Sequence, residues 1–523
     1  MPRQNLVLSP SLAPVGQLFL EAPASEIHTF ILGAHDLLRR APELVDRVRA
    51  DLDAHGLAKK SLRWSDAAFR FSETPRLPGV CDETGVRKDK PSALSQGRPR
   101  TPAEVVTIFL LLRGLLGEGF KGWTTATFLR ESITLRVAFA NYGMHMPCPS
   151  TLTELVNAVS NETRCRILDA QIRQAKVEGL DDFKTMFQDS TAVDANTVWP
   201  TDSGIIVALI ERIVRVGGQM NKWKVSPICP RKLAAHLKEL SHLDRDIDLA
   251  GGKNRTKIRA AAYEKMLRKG HQARRIVERE VRKVRAAINA NKLAPRLRAA
   301  AEVAANQLQS DARMLAQILA NCHTRIVEGR RVASADKIAS ISDRDAAFIV
   351  KGQRDPVVGY KPQLARSGGG FVTALLVSVG NACDSSQLIA MLEAVMARTG
   401  VLPNVVSADD GYASKANVEK VRLAGVTVVS ISGSKGRKLT DAFAWCSDSH
   451  VKARKDRSAI ESLMFTLKDG FDFGRAGRRG IDSVTGELLE KILAYNLCLI
   501  QRKRAEQKDR AKSAIPPPVA DAA

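Results

Sequence analysis

The sequence predicts an α/β protein: a mixed sheet with helices on both faces, interrupted by a long, basic helical segment. Three observations support this fold class. Runs rich in β-branched and aromatic residues, typical of strands, occur around residue 189 and again between residues 345 and 431. Residues 204–340 between them have helical periodicity and are dense in Lys and Arg. Helical patterns also precede the first strand, which predicts an α-helical N-terminal region.

The charge balance points to a polyanionic partner. Lys and Arg outnumber Asp and Glu by 80 to 56, giving a net charge of +24 and a pI near 9.9. Nucleic acid is the usual partner of such a surface, although a membrane surface or ribosomal RNA also fits. The eight cysteines form no CxxC pair, which argues against a zinc module or a disulfide framework and is typical of a reducing cytoplasm. We expect no membrane insertion, because the N-terminus has no signal-peptide pattern and the most apolar run, 105–116, is short and contains Arg113.

We expect five segments. They are an N-terminal helical region and linker (1–95), a helical DNA-binding domain (96–178), an α/β catalytic domain (179–203 plus 341–500), a helical insertion (204–340) and a disordered tail (501–523). Thr101-Pro102-Ala103-Glu104 reads as a capping box with proline at the first helical position. The short helices predicted after it resemble a helix-turn-helix unit, and a plain helical bundle packed on the next domain is the alternative.

Within the α/β domain, alternating strand and helix patterns set the expected boundaries. Strands are predicted at 345–350, 357–363, 370–380, 404–407 and 426–431, with 370–380 as a central strand. Helices are predicted at 385–398, 414–424, 454–470 and 488–500.

Three carboxylates are the candidate catalytic residues. Asp189 lies in the first strand, Asp409 follows a buried strand just before Gly411, and Glu461 lies on the amphipathic helix 454–470. Carboxylates at the carboxyl ends of strands lie where α/β sheets bind ligands. Three hard oxygen donors suit Mg²⁺, and a pair of such ions activates an attacking water or 3′-hydroxyl at phosphorus. The sequence therefore predicts metal-assisted phosphoryl transfer.

The helix that carries Glu461 also carries cations. At about 100° per residue, Arg457, Glu461 and Lys468 fall within roughly 40° of one another. This arrangement suits a site that holds a metal while gripping a phosphate backbone. An ordinary ion pair one helical turn apart is the alternative.

Other residues compete for these roles. Asp194 or Asp202 could replace Asp189 as the first acid, and Asp410 could replace Asp409 as the second. Asp384 is interpreted as a helix N-cap near the site, and Tyr412 is expected to pack beside the second acid. Trp223 and Trp445 could either stack on an unpaired base or be packed in the core.

Taken together, these segments resemble bacterial insertion-sequence transposases that have an RNase H-like fold and a DDE triad. The family's last motif is Tyr, two residues, Arg, three residues, Glu, six residues, Lys. Arg457, Glu461 and Lys468 keep that spacing, while Arg454 stands in the tyrosine position. The stretch SADDGYASKANVEKVRLAGVTVV resembles the second motif, and QDSTAVDANTVWPTDSG resembles the first.

The resemblance implies an RNase H-like mixed sheet and a DNA transposase activity. Asp189, Asp409 and Glu461 would hold two Mg²⁺ ions, for which Mn²⁺ can substitute, while Arg457 and Lys468 orient the DNA backbone and Arg454 contacts a phosphate. The implied partners are double-stranded DNA, as terminal inverted repeats and target, and a second protomer in a DNA-bound homodimer. The implied location is the bacterial cytoplasm, associated with the nucleoid.

Two other functions remain open at this point. One is a metal-dependent nuclease on the same fold that cuts but does not join. The other is a catalytically inactive, DNA-binding transposase relic, against which the intact set of three acids argues. The Arg and Lys faces of the insertion are expected to contact DNA or the partner protomer.

Overall fold

The computed structural model describes residues 26–56, 101–116, 148–197, 201–222, 230–250, 256–290, 295–333, 336–351 and 355–513. The chain divides into two compact units. The sheet unit comprises Met1–Asp194, Lys361–Ser378 and Ala382–Ala523, and the helical unit comprises Ala195–Tyr360 and Val379–Asn381. The helical unit is therefore inserted into the sequence of the sheet unit.

Most of the strands lie in two stretches of the chain, at 185–194 and 347–376, and helices precede, separate and follow them. The helices are α1 (Glu26–Arg40), α2 (43–56), α3 (Ala103–Leu116), α4 (Pro149–Ala158), α5 (Asn161–Val177), α6 (Asp202–Lys222), α7 (Pro230–Leu249), α8 (Thr256–Asn289), α9 (Pro295–Cys322), α10 (Leu388–Thr399), α11 (Lys415–Leu423), α12 (Ser434–Leu439), α13 (Ala442–Cys446), α14 (Asp448–Asp456), α15 (Ser458–Gly470) and α16 (Ile481–Ser513). The strands are β1 (Thr185–Ser190), β2 (Val193–Asp194), β3 (Ala347–Ile349), β4 (Val357–Tyr360), β5 (Gln363–Ser367), β6 (Val372–Leu376), β7 (Val405–Ala408) and β8 (Val428–Ile431).

The sheet unit is built on a mixed five-stranded sheet in the order β6-β5-β1-β7-β8. β1 pairs antiparallel with β5 and parallel with β7, so it lies where the strand direction changes. β5 and β6 are antiparallel, whereas β7 and β8 are parallel. Their β-branched sequences, such as Val428-Val429, suit buried parallel strands. The predicted mixed α/β architecture is confirmed.

Helices cover both faces of this sheet, as alternation along β7 shows. Val406 and Ala408 lie in a core formed with α10 and α11. Ser407 points to the opposite face, where its hydroxyl donates to the carbonyl of Ala453 on α14 at 3.2 Å. Successive side chains of a strand face opposite ways, so each face of β7 contacts a helix.

Strand β6 is an edge strand, and the prediction of a central strand at 370–380 was wrong. Its apolar sequence is explained by packing on α10 and α16. Asn496 of α16 accepts from the Val372 amide at 3.0 Å and donates to the Val372 carbonyl at 2.9 Å. This contact protects an edge that the apolar sequence would otherwise leave open.

Two further boundaries differ from the sequence prediction. The single strand expected at 357–363 is two strands, β4 and β5, separated by Lys361-Pro362. Proline has no N–H to donate to a ladder, which explains the break. The single helix expected at 454–470 is two helices, α14 and α15, which meet at Arg457.

The predicted disordered tail is also partly wrong, because α16 continues to Ser513. Arg504, the fourth residue of the supposed tail, bonds the carboxylates of Asp36 and Glu178 at 2.9 and 2.5 Å. Residues 514–523 lie outside the described residues.

Helices α3 and α5 pack against α16 within the sheet unit. Gly114 allows this close approach, because a Cβ there would lie 2.1 Å from the Glu490 carbonyl oxygen. α3 is buried along most of its length, as expected for a core helix. No helix among the described residues is long and apolar enough to cross a membrane. Within the predicted DNA-binding segment 96–178, residues 96–100 and 117–147 lie outside the described residues.

The helical unit has its own core, formed mainly by α6, α7, α8 and α9. Arg212 of α6 and Asp311 of α9 form a two-bonded ion pair within it, at 3.1 and 2.5 Å. α8 has eleven Lys and Arg against three Glu, and its apolar positions, such as Val277 and Val281, are buried. The basic residues therefore crowd onto its outer faces.

Candidate active site

Asp189 and Asp409 occupy matching positions at the ends of neighbouring parallel strands. Gln188 of β1 pairs with Ala408 of β7, so the next residue on each strand is one of the two acids. Asp189 is 7% exposed, and its Oδ1 accepts the Ser190 amide at 2.6 Å. The structure therefore brings the first two predicted acids to one edge of the sheet.

The turn after β7 distinguishes Asp409 from its neighbour. Asp409 Oδ1 accepts the Gly411 amide at 2.9 Å and caps a 3₁₀ turn. Asp410 Oδ1 accepts the amides of Lys435 and Gly436 at 2.8 and 3.1 Å, at the start of α12. Gly433 has φ 97°, and a Cβ there would lie 2.7 Å from Asp410. The Asp410 carboxylate therefore caps the start of α12.

A buried tyrosine lies among several carboxylates at this edge. Tyr412 is fully buried and donates its hydroxyl proton to Gln363 Oε1. Burial raises its pKa above the ordinary value, and the negative charges of Asp384, Asp189 and Asp409 raise it further. Tyr412 packs beside the second acid as expected, and its backbone N–H donates to the Asp409 carbonyl at 3.2 Å.

Asp384 is more closely tied to the site than its sequence context predicted. Its Oδ1 accepts Gln363 Nε2 at 2.6 Å and pairs with Lys361 Nζ at 2.9 Å. A Cβ on Gly411 would lie 3.3 Å from Asp384 Oδ2 and 3.1 Å from Asp409 Oδ1, so both oxygens border one small space. Lys361 and Gln363 were not among the residues predicted from the sequence. They flank Pro362, Lys361 in the break after β4 and Gln363 at the start of β5, and neither carries a motif signal.

Glu461 lies on α15, whose apolar stripe of Ile460, Leu463, Met464 and Leu467 is buried, as the predicted amphipathic helix requires. α15 packs against β1, the strand that ends in Asp189. The Glu461 side chain is 56% exposed, and its Oε1 lies 2.6 Å from Arg457 Nη2. In this arrangement the third predicted acid is held by the arginine one turn before it.

The other two predicted DNA contacts have different surroundings. Arg454 stacks on the Trp445 ring at 4.0 Å and donates to the Trp445 carbonyl at 2.9 Å. Trp445 is therefore packed under a cation. Lys468 is partly buried, and its aliphatic stem lies against Gly474.

An exposed aromatic residue also lies on the outer face of α15. Phe465 is 71% exposed and lies one turn after Glu461, about 40° from it around the helix. Its exposure is not evident from the sequence, because a lone phenylalanine in an amphipathic helix is usually packed.

Asp194 and Asp202, the alternatives to Asp189 as the first acid, make other contacts. Asp194 is exposed, and its backbone pairs with the segment around Arg475. Asp202 lies in the helical unit, where it pairs with Arg325 at 2.7 Å. Trp223 lies outside the described residues.

Part of the predicted set of three carboxylates is arranged to bind a hard divalent cation. Asp189 and Asp409 supply oxygen ligands side by side, as Mg²⁺ prefers. Among the described residues, no group of three or more His, Cys, Asp and Glu is close enough to hold a metal ion. Two of the three predicted ligands are therefore assembled, and Glu461 is turned toward Arg457.

Residues 350–497 match the family model for the transposase DDE domain. This DDE domain match supports a DDE transposase and implies an RNase H-like fold, in agreement with the resemblance of the motifs. It includes Asp409 and Glu461, whereas Asp189 precedes it. No curated protein and no solved structure matched the chain.

Proposed function

We propose that this protein is a DNA transposase of the bacterial insertion-sequence type, which cuts the ends of its element and joins them to target DNA. The observation that carries the proposal is the side-by-side position of Asp189 and Asp409 at the ends of parallel strands. Asp409 lies within the DDE domain match, and its register with Asp189 supports a first acid outside that match.

DDE transposases generally use divalent metal ions, and Asp189, Asp409 and Glu461 are the ligands we propose. When bound, two Mg²⁺ ions, or Mn²⁺ in their place, would activate the attacking hydroxyl and stabilise the leaving oxygen at phosphorus. Glu461 becomes available once Arg457 exchanges its carboxylate partner for a DNA phosphate. The free-energy cost of breaking this ion pair is small, because Glu461 is more than half exposed and water screens the two charges.

The cations on α14 and α15 would then bind the DNA backbone. Arg457 and Lys468 lie on the same flank as Glu461, where positive charge neutralises the phosphates next to the cleavage point. Arg454 contributes its charge from its stacked position on Trp445.

The proposed partners are double-stranded DNA, as terminal inverted repeats and as target, and a second copy of the chain. Two ends have to be held together for joining, which favours a homodimer on DNA. Acting on chromosomal DNA would place the protein in the cytoplasm with the nucleoid, without membrane insertion.

The test is Mg²⁺-dependent cleavage of a DNA fragment that carries the repeats flanking the gene. We expect Glu461→Gln to abolish cleavage while DNA binding persists. The matched control is Glu419→Gln, which removes another exposed glutamate that pairs with a cation one turn away. Equal cleavage by wild type and Glu461→Gln would remove Glu461 from the site.

Joining is measured separately, with pre-cleaved ends and a target plasmid. Joined products support a transposase, whereas cleavage without joining would indicate a nuclease on the same fold. DNA binding without cleavage or joining would indicate a relic.

A further inference from the structure

A pocket of about 450 Å³ opens in the sheet unit away from the candidate active site. It is lined by polar side chains from α4, the start of α5, the segment before α16 and the first turns of α16. These are Thr153, Asn157, Ser160, Asn161, Arg164, Arg478, Asp482 and Ser483, together with Arg113 of α3. Neither the motifs nor the DDE domain match assigns it a role.

Three arginines of this pocket converge on one buried carboxylate, Glu490 of α16. Arg113 donates from Nε and Nη2 to the two Glu490 oxygens at 2.8 and 2.6 Å. Arg164 donates from Nε and Nη2 to Oε1 at 3.0 and 2.7 Å. Arg478 donates from Nη2 to Oε2 at 2.6 Å.

The positive charge in this cluster exceeds the negative charge. Glu490 offsets one of three guanidinium groups. The next buried acid, Glu487, is already matched by Lys491 at 2.9 Å. Asp482 is on the lining but is exposed to water.

This excess is buried and therefore energetically costly. The Arg113, Arg164 and Glu490 side chains are between 2 and 4% exposed. Burial lowers the pKa of Arg113 to about 10, although Glu490 opposes that change. Buried charge without a counter-charge is strongly unfavourable, so an anion bound here would stabilise the cluster.

We propose that this pocket binds a phosphate group in its dianionic form. Two excess positive charges match the two negative charges of a phosphate monoester. Planar guanidinium groups bind phosphate oxygens through paired hydrogen bonds, and the Ser483 hydroxyl on the lining adds a neutral donor. The volume exceeds that of a phosphate ion and leaves room for a sugar, so the source is either free phosphate or the 5′-phosphate of a DNA strand.

Isothermal titration calorimetry in chloride buffer distinguishes the two sources. The probes are inorganic phosphate and a trinucleotide with either a 5′-phosphate or a 5′-hydroxyl. Saturable binding of the 5′-phosphate trinucleotide and not of the 5′-hydroxyl form supports a DNA end as ligand. Saturable binding of inorganic phosphate alone supports a free ion. No saturable binding of any probe would overturn the proposal.

A rim variant tests the location without disturbing the buried cluster. Ser483→Asp adds a negative charge at an exposed lining position, and we expect it to weaken binding at least about tenfold. Ser150→Asp is the matched control, because Ser150 is exposed on α4 but does not line the pocket. Thermal unfolding of both variants verifies that they are folded, and phosphate should raise the unfolding temperature of the wild type and Ser150→Asp only. Unchanged affinity in folded Ser483→Asp would refute this location. None of these measurements needs cleavage activity, so they stand apart from the proposed function.

Discussion

Arg457 Nη2 and Glu461 Oε1 lie 2.6 Å apart, one turn from each other at the start of α15. In this pair Arg457 binds the carboxylate of Glu461, the acid that the last motif assigns to catalysis. The Arg457 side chain is 20% exposed, so the acid faces water more than its partner does. We propose that Arg457 holds the Glu461 carboxylate in this pair until DNA is bound.

Replacing Arg457 should separate its two proposed roles. We expect Arg457→Gln to tighten Mn²⁺ binding in the absence of DNA, because Glu461 loses a competing cation. The same change should weaken DNA binding, while the free energy of unfolding changes by less than about 1 kcal/mol. Calorimetric titration with Mn²⁺ and chemical denaturation measure these effects. Lys415→Gln, which breaks the exposed pair with Glu419, is the control and should leave Mn²⁺ affinity unchanged.

The two adjacent aspartates after β7 should respond differently to substitution. Asp409→Asn should abolish DNA cleavage with little loss of stability, since an asparagine can still accept the Gly411 amide. Asp410→Ala should retain cleavage but destabilise the fold by about 1 kcal/mol, because the start of α12 loses its cap. Cleavage assays and denaturation curves on both variants decide the matter. The opposite pattern would assign the second acid to Asp410.

Tyr412 should make the fold sensitive to alkaline pH. Burial raises its folded-state pKa above the ordinary tyrosine value of 10.0, so the folded state holds this proton more tightly than the unfolded chain does. The resulting stability is fully present below pH 10 and is lost as the pH rises above that value. Tyr412→Phe should cost about 1 kcal/mol at neutral pH, through the lost bond to Gln363. Between pH 10 and 11 the variant should lose less further stability than the wild type does. Parallel slopes in that range would contradict this account.

The outer face of α8 should contribute to DNA affinity. Arg275 and Arg282 are exposed, whereas Lys283 pairs with the buried Glu280 at 3.1 Å and is better left intact. Reversing Arg275 and Arg282 to Glu should lower DNA affinity, and the plot of log affinity against log salt should become shallower by about 0.9 per lost phosphate contact. Lys415→Glu, at an exposed position on α11, is the control for net charge. An unchanged slope would exclude this face from DNA binding.

The sequence was most informative where local pattern and tertiary environment agree. The run Val405-Val406 is a buried strand followed by a glycine turn, and the apolar stripe of α15 packs as its spacing predicts. The mixed sheet and the two strand-end acids could be derived in this way. The Lys361–Asp384–Gln363 contacts could not, since they join residues whose individual positions carry no periodic signal.

The errors have a common physical origin in contacts between distant segments. The extension of α16 beyond residue 500 depends on Arg504, whose partners Asp36 and Glu178 lie far away in sequence. The edge position of β6 is tolerated because Asn496 covers its backbone. A short stretch of sequence around Arg504 or around β6 does not include these contacting residues. The break at Pro362 is different, because the missing N–H of proline could have been used to predict it.

The sequence position of the helical unit has a consequence for how the protein folds. β1 pairs with β5 from Ser190↔Gln363 to Met186↔Ser367, and the helical unit lies in the chain between these partners. During synthesis β1 emerges long before β5 and β7. The backbone N–H and C=O groups of β1 therefore cannot pair with those strands until they have been made. Closing so long a loop is entropically unfavourable and slows folding. The helical unit has its own core, and its early collapse would shorten the span that β1 and β5 must close. Folding of the inserted helices would then set the pace at which Asp189 reaches Asp409.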